Sequence, residues 1–242
     1  MQEKQGLGQP PQQAFSHSGY RDALLATLTI GELKEYLQNQ RVRSCHNSHY
    51  EKRGTEEVCI DDELPFEIPN TWLWCRLSFV LLQASTGPFG SMLHKNDYTD
   101  IGIPIVNPAN IIDGKISPHK IKQVSESTAA RLTSYKLQNG DVIIGRRGEM
   151  GRSAVVAEVQ TGWLCGTGCF YVTPLSILIP EYLVFLLSSP YAKLALTKNS
   201  VGTTMNNLNH NILGNLLIPI PPKQEQIRIM AQYTDILTHL KY

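Results

Sequence analysis

The sequence predicts an α+β domain, because strand-like segments outnumber helical ones in its middle and the two kinds do not alternate regularly. Of the 242 residues, 42% are apolar, which is enough for one sizeable core. The 22 basic and 21 acidic residues almost cancel. Their distribution is uneven, since the middle of the chain is mildly basic and the front is acidic. This asymmetry favours an anionic partner for the middle segment.

The front of the chain is predicted to lie outside the main domain. Residues 1–18 are rich in Gln, Pro and Gly, a composition typical of a disordered tail. From Tyr20 to Gln40 leucines recur at helical spacing, which predicts an amphipathic helix. The polar, charged segment 41–63 is predicted to be a linker, so that an N-terminal helix and linker occupy residues 19–63.

The folded domain is predicted to span residues 64–222, and its elements follow from local patterns. Trp72 and Trp74 in "PFEIPNTWLWCRLSFV" are expected to anchor a core edge. "IPIVNPANI" predicts a strand and turn, and "SESTAARLTSYKLQNGD" a helix from about Glu126 to Asn139-Gly140. "DVIIGRRGEMGRSAVVAEV" predicts a hairpin with glycines at its tip, and "GCFYVTPL" another strand. Pro180 begins a predicted helix that breaks near Pro190, and a last helix is predicted from Lys223.

No motif in the sequence predicts catalysis, a cofactor or a metal. The cluster "CHNSH" places Cys45, His46 and His49 together, but the second ligand pair of a zinc site is missing. Nucleotide-binding glycine loops, a base-flipping Pro-Pro-aromatic loop and nucleophile elbows are absent. The five cysteines are an odd number, which favours reduced thiols. With no signal peptide and no apolar run long enough to span a membrane, a cytoplasmic protein is expected.

Three polar segments could contact a nucleic acid: "GRRGEMGR", "SMLHKNDY" and the asparagine-rich "GTTMNNLN". "GRRGEMGR" carries arginines at a hairpin tip, and arginine binds guanine edges and phosphates. We expect Arg146, Arg147 and Arg152 to lie exposed on one face with Lys95. The plainer interpretations are a solvated turn for this hairpin and turn or helix capping for the asparagines, including Asn209 ahead of a short helix from His210. The predicted DNA-binding residues are Ser91, His94, Lys95, Asn96, Arg146, Arg147, Arg152, Thr203, Thr204, Asn206 and Asn207.

The last helix, residues 223–242, carries an apolar seam. Its members follow steps of four, three and four residues, as in a coiled coil. A helix that packs on its own domain shows a similar stripe, so the seam alone leaves both arrangements open. The seam residues are Ile229, Tyr233, Ile236 and Leu240.

Three stretches, in order, resemble the target recognition domain of type I restriction-modification specificity subunits. They are "PFEIPNTWLWCRL", "LQNGDVIIGRRGEMGRSAVV" and "GTTMNNLNHNILGNLLIPIPPKQEQIRIM", and together they span about Pro65 to Lys241. The resemblance implies a non-catalytic reader of double-stranded DNA. In that family two recognition domains, separated by paired helices, each read half of a split site. The complete subunit holds DNA methyltransferase subunits and, through them, restriction subunits.

The chain departs from the family pattern because it has room for one recognition domain. Its last helix also stops where the family's spacer helix should continue. We therefore expect a truncated subunit, a natural half-subunit or an engineered piece, with a homodimer through the terminal helices as one way to complete it. Two alternatives stay open: a protein-interaction module without DNA binding, and the recognition end of a fused restriction–methylation enzyme.

Overall fold

The computed structural model describes residues 42–45, 48–53, 55–198 and 208–240, so the predicted tail and the predicted helix from Tyr20 to Gln40 lie outside the described residues. The described part is an α+β fold, as predicted. Its strands are β1 Val42–Cys45, β2 Ser48–Arg53, β3 Glu56–Cys59, β4 Leu73–Arg76, β5 Leu81–Thr86, β6 Tyr98–Thr99, β7 Ile103–Val106, β8 Ile111–Ile112, β9 Lys115–Ile116, β10 Lys122–Val124, β11 Val142–Gly145, β12 Ser153–Val155, β13 Leu164–Cys165, β14 Cys169–Pro174 and β15 Leu217–Ile220.

The described α-helices are short except for the last. They are α1 Glu126–Arg131, α2 Pro180–Ser188, α3 Pro190–Lys198, α4 His210–Gly214 and α5 Lys223–His239. None of them is both long and apolar enough to cross a lipid bilayer. The starts of α2, α3 and α5 and the capping role of Asn209, whose side chain accepts from the Ile212 N–H, agree with the sequence predictions.

Two four-stranded sheets form the centre of the molecule. One is antiparallel, in the order β12-β11-β14-β5. The other has the order β13-β7-β10-β6, in which β13 and β7 run parallel and the remaining pairs antiparallel. The remaining strands pair as β1-β2-β3, as β15-β4 and as the β8-β9 hairpin.

Alternation of side chains along β11 and β14 builds a core on each face of the antiparallel sheet. Ile144 and Phe170 pack with the buried leucines of α2 and α3. On the other face, Ile143 and Tyr171 pack with Val106 of the mixed sheet. The far face of the mixed sheet packs on α1. The molecule is therefore layered as helices, sheet, sheet and helix.

Residues 42–59, predicted as a linker, instead form the three-stranded sheet β1-β2-β3, and this prediction was wrong. A buried ion pair connects this sheet to β4, and Ile60, directly after β3, packs with Trp74 and Leu217. Arg76 Nη2 lies 2.8 Å from Glu51 Oε2 and 2.7 Å from Glu63 Oε2, and its Nη1 donates to the Asn215 carbonyl. An ion pair of this kind leaves no signal in the hydrophobic pattern of the sequence.

The helix predicted to run from Glu126 to about Asn139 is also shorter than expected. It begins as predicted, with Ser125 Oγ accepting from the Thr128 N–H, but it ends at Arg131. The chain then turns because Leu137 exchanges backbone hydrogen bonds with Trp163 and Gly162. This tertiary pairing outweighs the local helical pattern.

Candidate nucleic-acid interface

Loops from both central sheets meet at one edge of the molecule. Strands β5 and β11 end there and β14 begins there, since β5 and β11 both run antiparallel to β14. The parallel strands β7 and β13 end at the same place, where the Gly166 N–H donates to the Val106 carbonyl at 2.8 Å. We call this region, residues 86–90, 107–110, 145–152 and 166–168, the loop edge.

Glycine allows the loops of this edge to touch backbone to backbone. A Cβ added at Gly87 would lie 2.0 Å from the Gly166 carbonyl oxygen, and one at Gly166 would lie 2.4 Å from Asn107 Oδ1. A side chain at either position would separate the loops. The glycines of the loop edge therefore hold strand ends from two sheets in one fixed arrangement.

The arginine hairpin, residues 145–152 between β11 and β12, is shaped by Gly148 and Gly151. Both have a positive φ, 82° and 81°, which favours glycine. Gly151 also lies against α2, where an added Cβ would be 2.1 Å from the Leu187 carbonyl oxygen. The hairpin was predicted with glycines at its tip, and the antiparallel pairing of β11 and β12 confirms it.

Arg146 was expected to be exposed, but it is half-buried and contacts neighbouring elements of the fold. Its Nε donates to the Leu208 carbonyl at 3.1 Å, and its own carbonyl accepts from the Leu208 N–H at 3.1 Å. The guanidinium carbon lies 4.9 Å from the centre of the Phe170 ring, which His210 meets edge-on. Burial, followed by the charge of Arg146, lowers the pKa of His210. Arg146 thus ties the hairpin to the start of α4.

Arg152 is also half-buried, and the expectation that it is exposed was wrong in the same way. Its Nη1 donates to the Pro108 carbonyl at 3.1 Å, and its Nη2 lies 3.8 Å from a carboxylate oxygen of Glu149. These contacts place Arg152 across the base of the hairpin, against the loop that follows β7.

Arg147 is the exposed arginine of the hairpin, as expected. Beside it, Glu149 accepts a hydrogen bond of 2.6 Å from Lys193 of α3, and this bond lowers the pKa of Glu149. Lys193 and Arg152 both lie close to the Glu149 carboxylate, and Arg146 and Arg147 belong to the same hairpin, so this region has four cationic side chains and one carboxylate. The loop edge is positively charged here.

The residues Thr203, Thr204, Asn206 and Asn207 lie outside the described residues. The elements on either side of them both contact the arginine hairpin. On the upstream side α3 does so through Lys193 and Glu149, and on the downstream side Leu208 does so through Arg146. Lys193 and Leu208, which lie on either side of these residues in the sequence, therefore both contact this hairpin.

The segment with Ser91, His94, Lys95 and Asn96 is exposed, and its neighbours pack on α1. Arg131 donates to the Met92 carbonyl at 2.7 Å. A cleft of about 480 Å³ follows the segment, and Lys122 lies over the Tyr98 ring at 4.7 Å. The cleft is lined by Lys95, Tyr98, Thr99, Asp100, Ile121 and Lys122. Lys95 and Lys122 outnumber the one acidic residue of this lining, Asp100, so the cleft forms a second basic surface.

Among the described residues, no three potential metal ligands lie close enough to share an ion. His49 instead contacts Asp61, which accepts from its backbone N–H at 2.7 Å. The thiols of Cys59, Cys75, Cys165 and Cys169 are free. Cys45 is described only in its backbone, and His46 lies outside the described residues, so the predicted absence of a site at "CHNSH" stays a prediction.

The seam of α5 is divided between two environments. Ile229 packs on the main core and Tyr233 lies 4.8 Å from the Phe185 ring of α2. Ile236 and Leu240, further along, are 56% and 75% exposed. One recognition domain covers the first half of the seam.

The sequence analysis missed Lys193, Phe170 and Pro108 as parts of this site. Their contacts with the hairpin span large sequence separations, such as the 44 residues between Lys193 and Glu149. Phe170 has the signal of an ordinary core residue in a strand. Lys193 stands one or two turns ahead of the asparagine-rich segment, and that position is the signal that could have drawn attention to it.

The family pattern of the type I restriction modification DNA specificity domain matches residues 88–240, which is more than half of the chain. The specificity subunit of the type I restriction enzyme EcoBI of Escherichia coli is 22% identical over 178 residues, which are 74% of this chain and 37% of that protein. The StySPI specificity subunit of Salmonella potsdam is 24% identical, over 71% of this chain and 37% of its own length. The chain thus spans less than half the length of these relatives.

Solved structures share the fold. The HsdS subunit of Thermoanaerobacter tengcongensis has a TM-score of 0.56 and 24% identity, covering 73% of this chain and 44% of that one. A chain from a study of complex assembly and conformational transition in the type I R-M system has a TM-score of 0.57 and 20% identity, covering 93% of this chain and 47% of its own. With the match over residues 88–240, these similarities establish that the chain belongs to the family of type I restriction modification DNA specificity domains.

Proposed function

We propose that this chain is a non-catalytic DNA-recognition module that reads one half of a bipartite site in double-stranded DNA. The observation that carries the proposal is the loop edge, where the arginine hairpin contacts the loop after β7, Lys193 of α3 and Leu208, and where cationic side chains outnumber the one carboxylate of Glu149. Such an edge suits the phosphate backbone, and an exposed arginine can reach a base edge in the major groove.

Within this edge we assign different tasks to the three arginines. Arg147 has no hydrogen bond or ion pair among those described and is the candidate for a base or phosphate contact. Arg146 and Arg152 each donate one hydrogen bond, to the Leu208 and Pro108 carbonyls, so we propose that they hold the hairpin in place while their charge attracts DNA. The predicted contacts of Thr203, Thr204, Asn206 and Asn207 stay part of the proposal.

A second basic surface extends the proposed contact. Ser91, His94, Lys95 and Asn96 are exposed, and Lys122 shares the adjoining cleft with Lys95. Lysine binds phosphate as a point charge rather than by a planar fork, so we propose backbone contacts for this surface.

The relatives are named as specificity subunits of type I restriction enzymes. On this basis we propose that the chain positions a DNA methyltransferase subunit and, through it, a restriction subunit, and that it acts in the cytoplasm without a cofactor. Residues 64–222 would form the recognition unit and residues 223–242 the start of a spacer helix. A homodimer through the terminal helices would supply a second recognition unit.

The test measures DNA binding with duplexes that the wild-type chain enriches from a randomised library. Arg147→Ala should weaken binding by about 1–3 kcal/mol if Arg147 contacts a base. The matched control is Arg228→Ala, which removes an equally exposed arginine that pairs with Glu225 on α5, far along the chain from the loop edge. Salt titration of both variants separates the modes of contact, because each lost phosphate contact reduces the salt slope by about one.

The outcomes are distinct. Weaker binding for Arg147→Ala with an unchanged control supports the proposal. Absence of any enriched duplex, or binding and salt slope unchanged in Arg147→Ala, contradicts the assigned interface, and the first of these results favours a protein-interaction module instead.

A further inference from the structure

The connection between the recognition unit and α5 leaves little backbone freedom. Strand β15 pairs with β4 up to Ile220, opposite Leu73. Two prolines follow, and Pro222 occupies the position just before the helix, with ψ of 145°. Each proline ring fixes φ at about −65°, so the backbone cannot rotate freely about φ at either residue.

The side chain of Gln226, in the first turn of α5, is completely buried. Its Oε1 accepts from the Ile179 N–H at 2.9 Å. Its Nε2 donates to the Ile177 carbonyl at 2.8 Å and to the Pro221 carbonyl at 3.0 Å. Both amide protons and the carbonyl oxygen are therefore used, which is the full donor capacity of a glutamine side chain.

Two of these bonds, to Ile177 and Ile179, join α5 to the segment that leads from β14 into α2, and the third holds Gln226 to Pro221, just before α5. They are directional, so they restrict rotation of α5 about its own axis as well as its tilt. An apolar residue of similar size could fill the same space but would not select one rotation. Further along, Ile229 and Met230 pack on the main core and Tyr233 contacts Phe185 of α2.

We propose that Gln226 is a positioning residue that fixes the direction of α5, so that the loop edge and α5 move as one rigid body. A hinge at this junction would let the helix point in many directions relative to the DNA-reading surface. With the junction fixed, any partner held by α5 takes its orientation from the recognition unit. This inference goes beyond the proposed function and does not depend on DNA binding.

The test measures the direction of α5 directly, by pulsed electron paramagnetic resonance on the full chain. Nitroxide labels are placed at Val159→Cys, where the native side chain is 82% exposed, and at Thr238→Cys on the outer part of α5. Cys45 and Cys59 are replaced by Ser in this background. Position 238 is twelve residues beyond Gln226, a lever of about 18 Å, so a 20° tilt would move the label by roughly 6 Å.

Gln226→Leu removes all three hydrogen bonds while keeping the side chain's bulk. Gln224→Leu, in the same turn but exposed, is the matched control. We expect a narrow distance distribution for the unsubstituted chain and for Gln224→Leu, and a distribution that broadens or shifts by several ångströms for Gln226→Leu. Near-ultraviolet circular dichroism of each variant reports whether the domain core stays packed.

Gln226→Ala gives a second measurement should Gln226→Leu fail to fold. Distributions as narrow as that of the unsubstituted chain, and at the same distance, in whichever of these variants folds would overturn the proposal, because the junction would then be rigid without Gln226. Since no DNA is present, failure of the proposed recognition function would leave this measurement intact.

Discussion

The three hairpin arginines show how one residue type takes different tasks within seven positions. Arg147 is exposed, whereas Arg146 and Arg152 donate to the carbonyls of Leu208 and Pro108, which are 62 and 44 residues away in sequence. The sequence places all three at a hairpin tip but carries no sign of these distant acceptors. A substitution at Arg146 would therefore disturb the arrangement of loops, and one at Arg147 would disturb the proposed contact with DNA.

The cysteines also differ from one another in burial, and this difference sets their reactivity. Cys75, Cys165 and Cys169 are buried, and burial raises the pKa of Cys75 and of Cys169 to about 12. A thiol held protonated is a poor nucleophile. Cys59 is exposed.

We predict that one thiol of the folded Cys45→Ser variant, that of Cys59, reacts promptly with Ellman's reagent at pH 8. Four should react after denaturation, because Cys59, Cys75, Cys165 and Cys169 are all free thiols. Adding Cys59→Ser should abolish the prompt reaction. Fewer than four reactive thiols in denaturant without reductant would instead reveal a disulfide, and one zinc per chain in a metal analysis would reopen the cluster around His46.

At the scale of elements, the sheet β1-β2-β3 depends on a charged anchor. The side chains of Arg76 and Glu51 are 11% and 6% exposed, so the pair is shielded from water. Removing one member of such a pair costs more than the pair itself contributes, because the remaining charge stays buried.

We predict that Arg76→Ala lowers the free energy of unfolding by about 3–5 kcal/mol in urea denaturation. Arg228→Ala is the control, since its pair with Glu225 is exposed and should contribute at most about 1 kcal/mol. The double variant Glu51→Leu/Arg76→Met should recover part of the loss by removing both charges. A loss for Arg76→Ala no larger than for the control would show that the sheet is held by other contacts.

The same anchor explains which elements the sequence could predict. Strands β11 and β14 were predictable because an apolar run bounded by glycine or proline marks each of them. Residues 42–59 lack such a pattern, and the buried ion pair that connects their sheet to β4 leaves no signal in the sequence. The end of α1 at Arg131 was not predictable either. Leu137 forms backbone hydrogen bonds with Gly162 and Trp163, just before β13, and local helix propensity does not reveal this pairing.

The sequence predicted individual loops of the candidate site, but it did not predict which loops lie next to one another. The glycine-rich hairpin and its exposed Arg147 could be identified from composition alone. The meeting of Gly87, Gly166 and Asn107 could not, because it follows from how two sheets stack.

At the scale of the whole molecule, strand β14 separates two working ends. It begins at the loop edge with Cys169 and ends at Pro174, just before the Ile177 and Ile179 groups that bind Gln226. Six residues of strand correspond to about 20 Å. The proposed DNA-reading surface and the base of α5 therefore lie at opposite ends of the same sheet. In the proposed rigid body, this sheet fixes the distance between them.

The outer half of α5 gives the last prediction. Ile236 and Leu240 are largely exposed on the described chain, although the seam they belong to begins as a buried one. Covering such side chains would stabilise an assembly by roughly 1.5–3 kcal/mol each. We expect the cover to come from a second copy of the chain or from the segment 20–40, which the sequence predicts to be helical.

Ile236→Asp should then dissociate a dimer, seen as a lower sedimentation coefficient, or loosen α5, seen as a lower unfolding temperature with sedimentation unchanged. In both cases the recognition unit should stay folded, because Ile229 and Tyr233 already hold the inner half of α5 to it. Thr234→Asp adds the same charge to an exposed position of this helix and should change neither measurement. If Ile236→Asp also changes neither, then the outer seam has no cover in this chain, and the proposed pair of recognition units would have to be joined by some other surface.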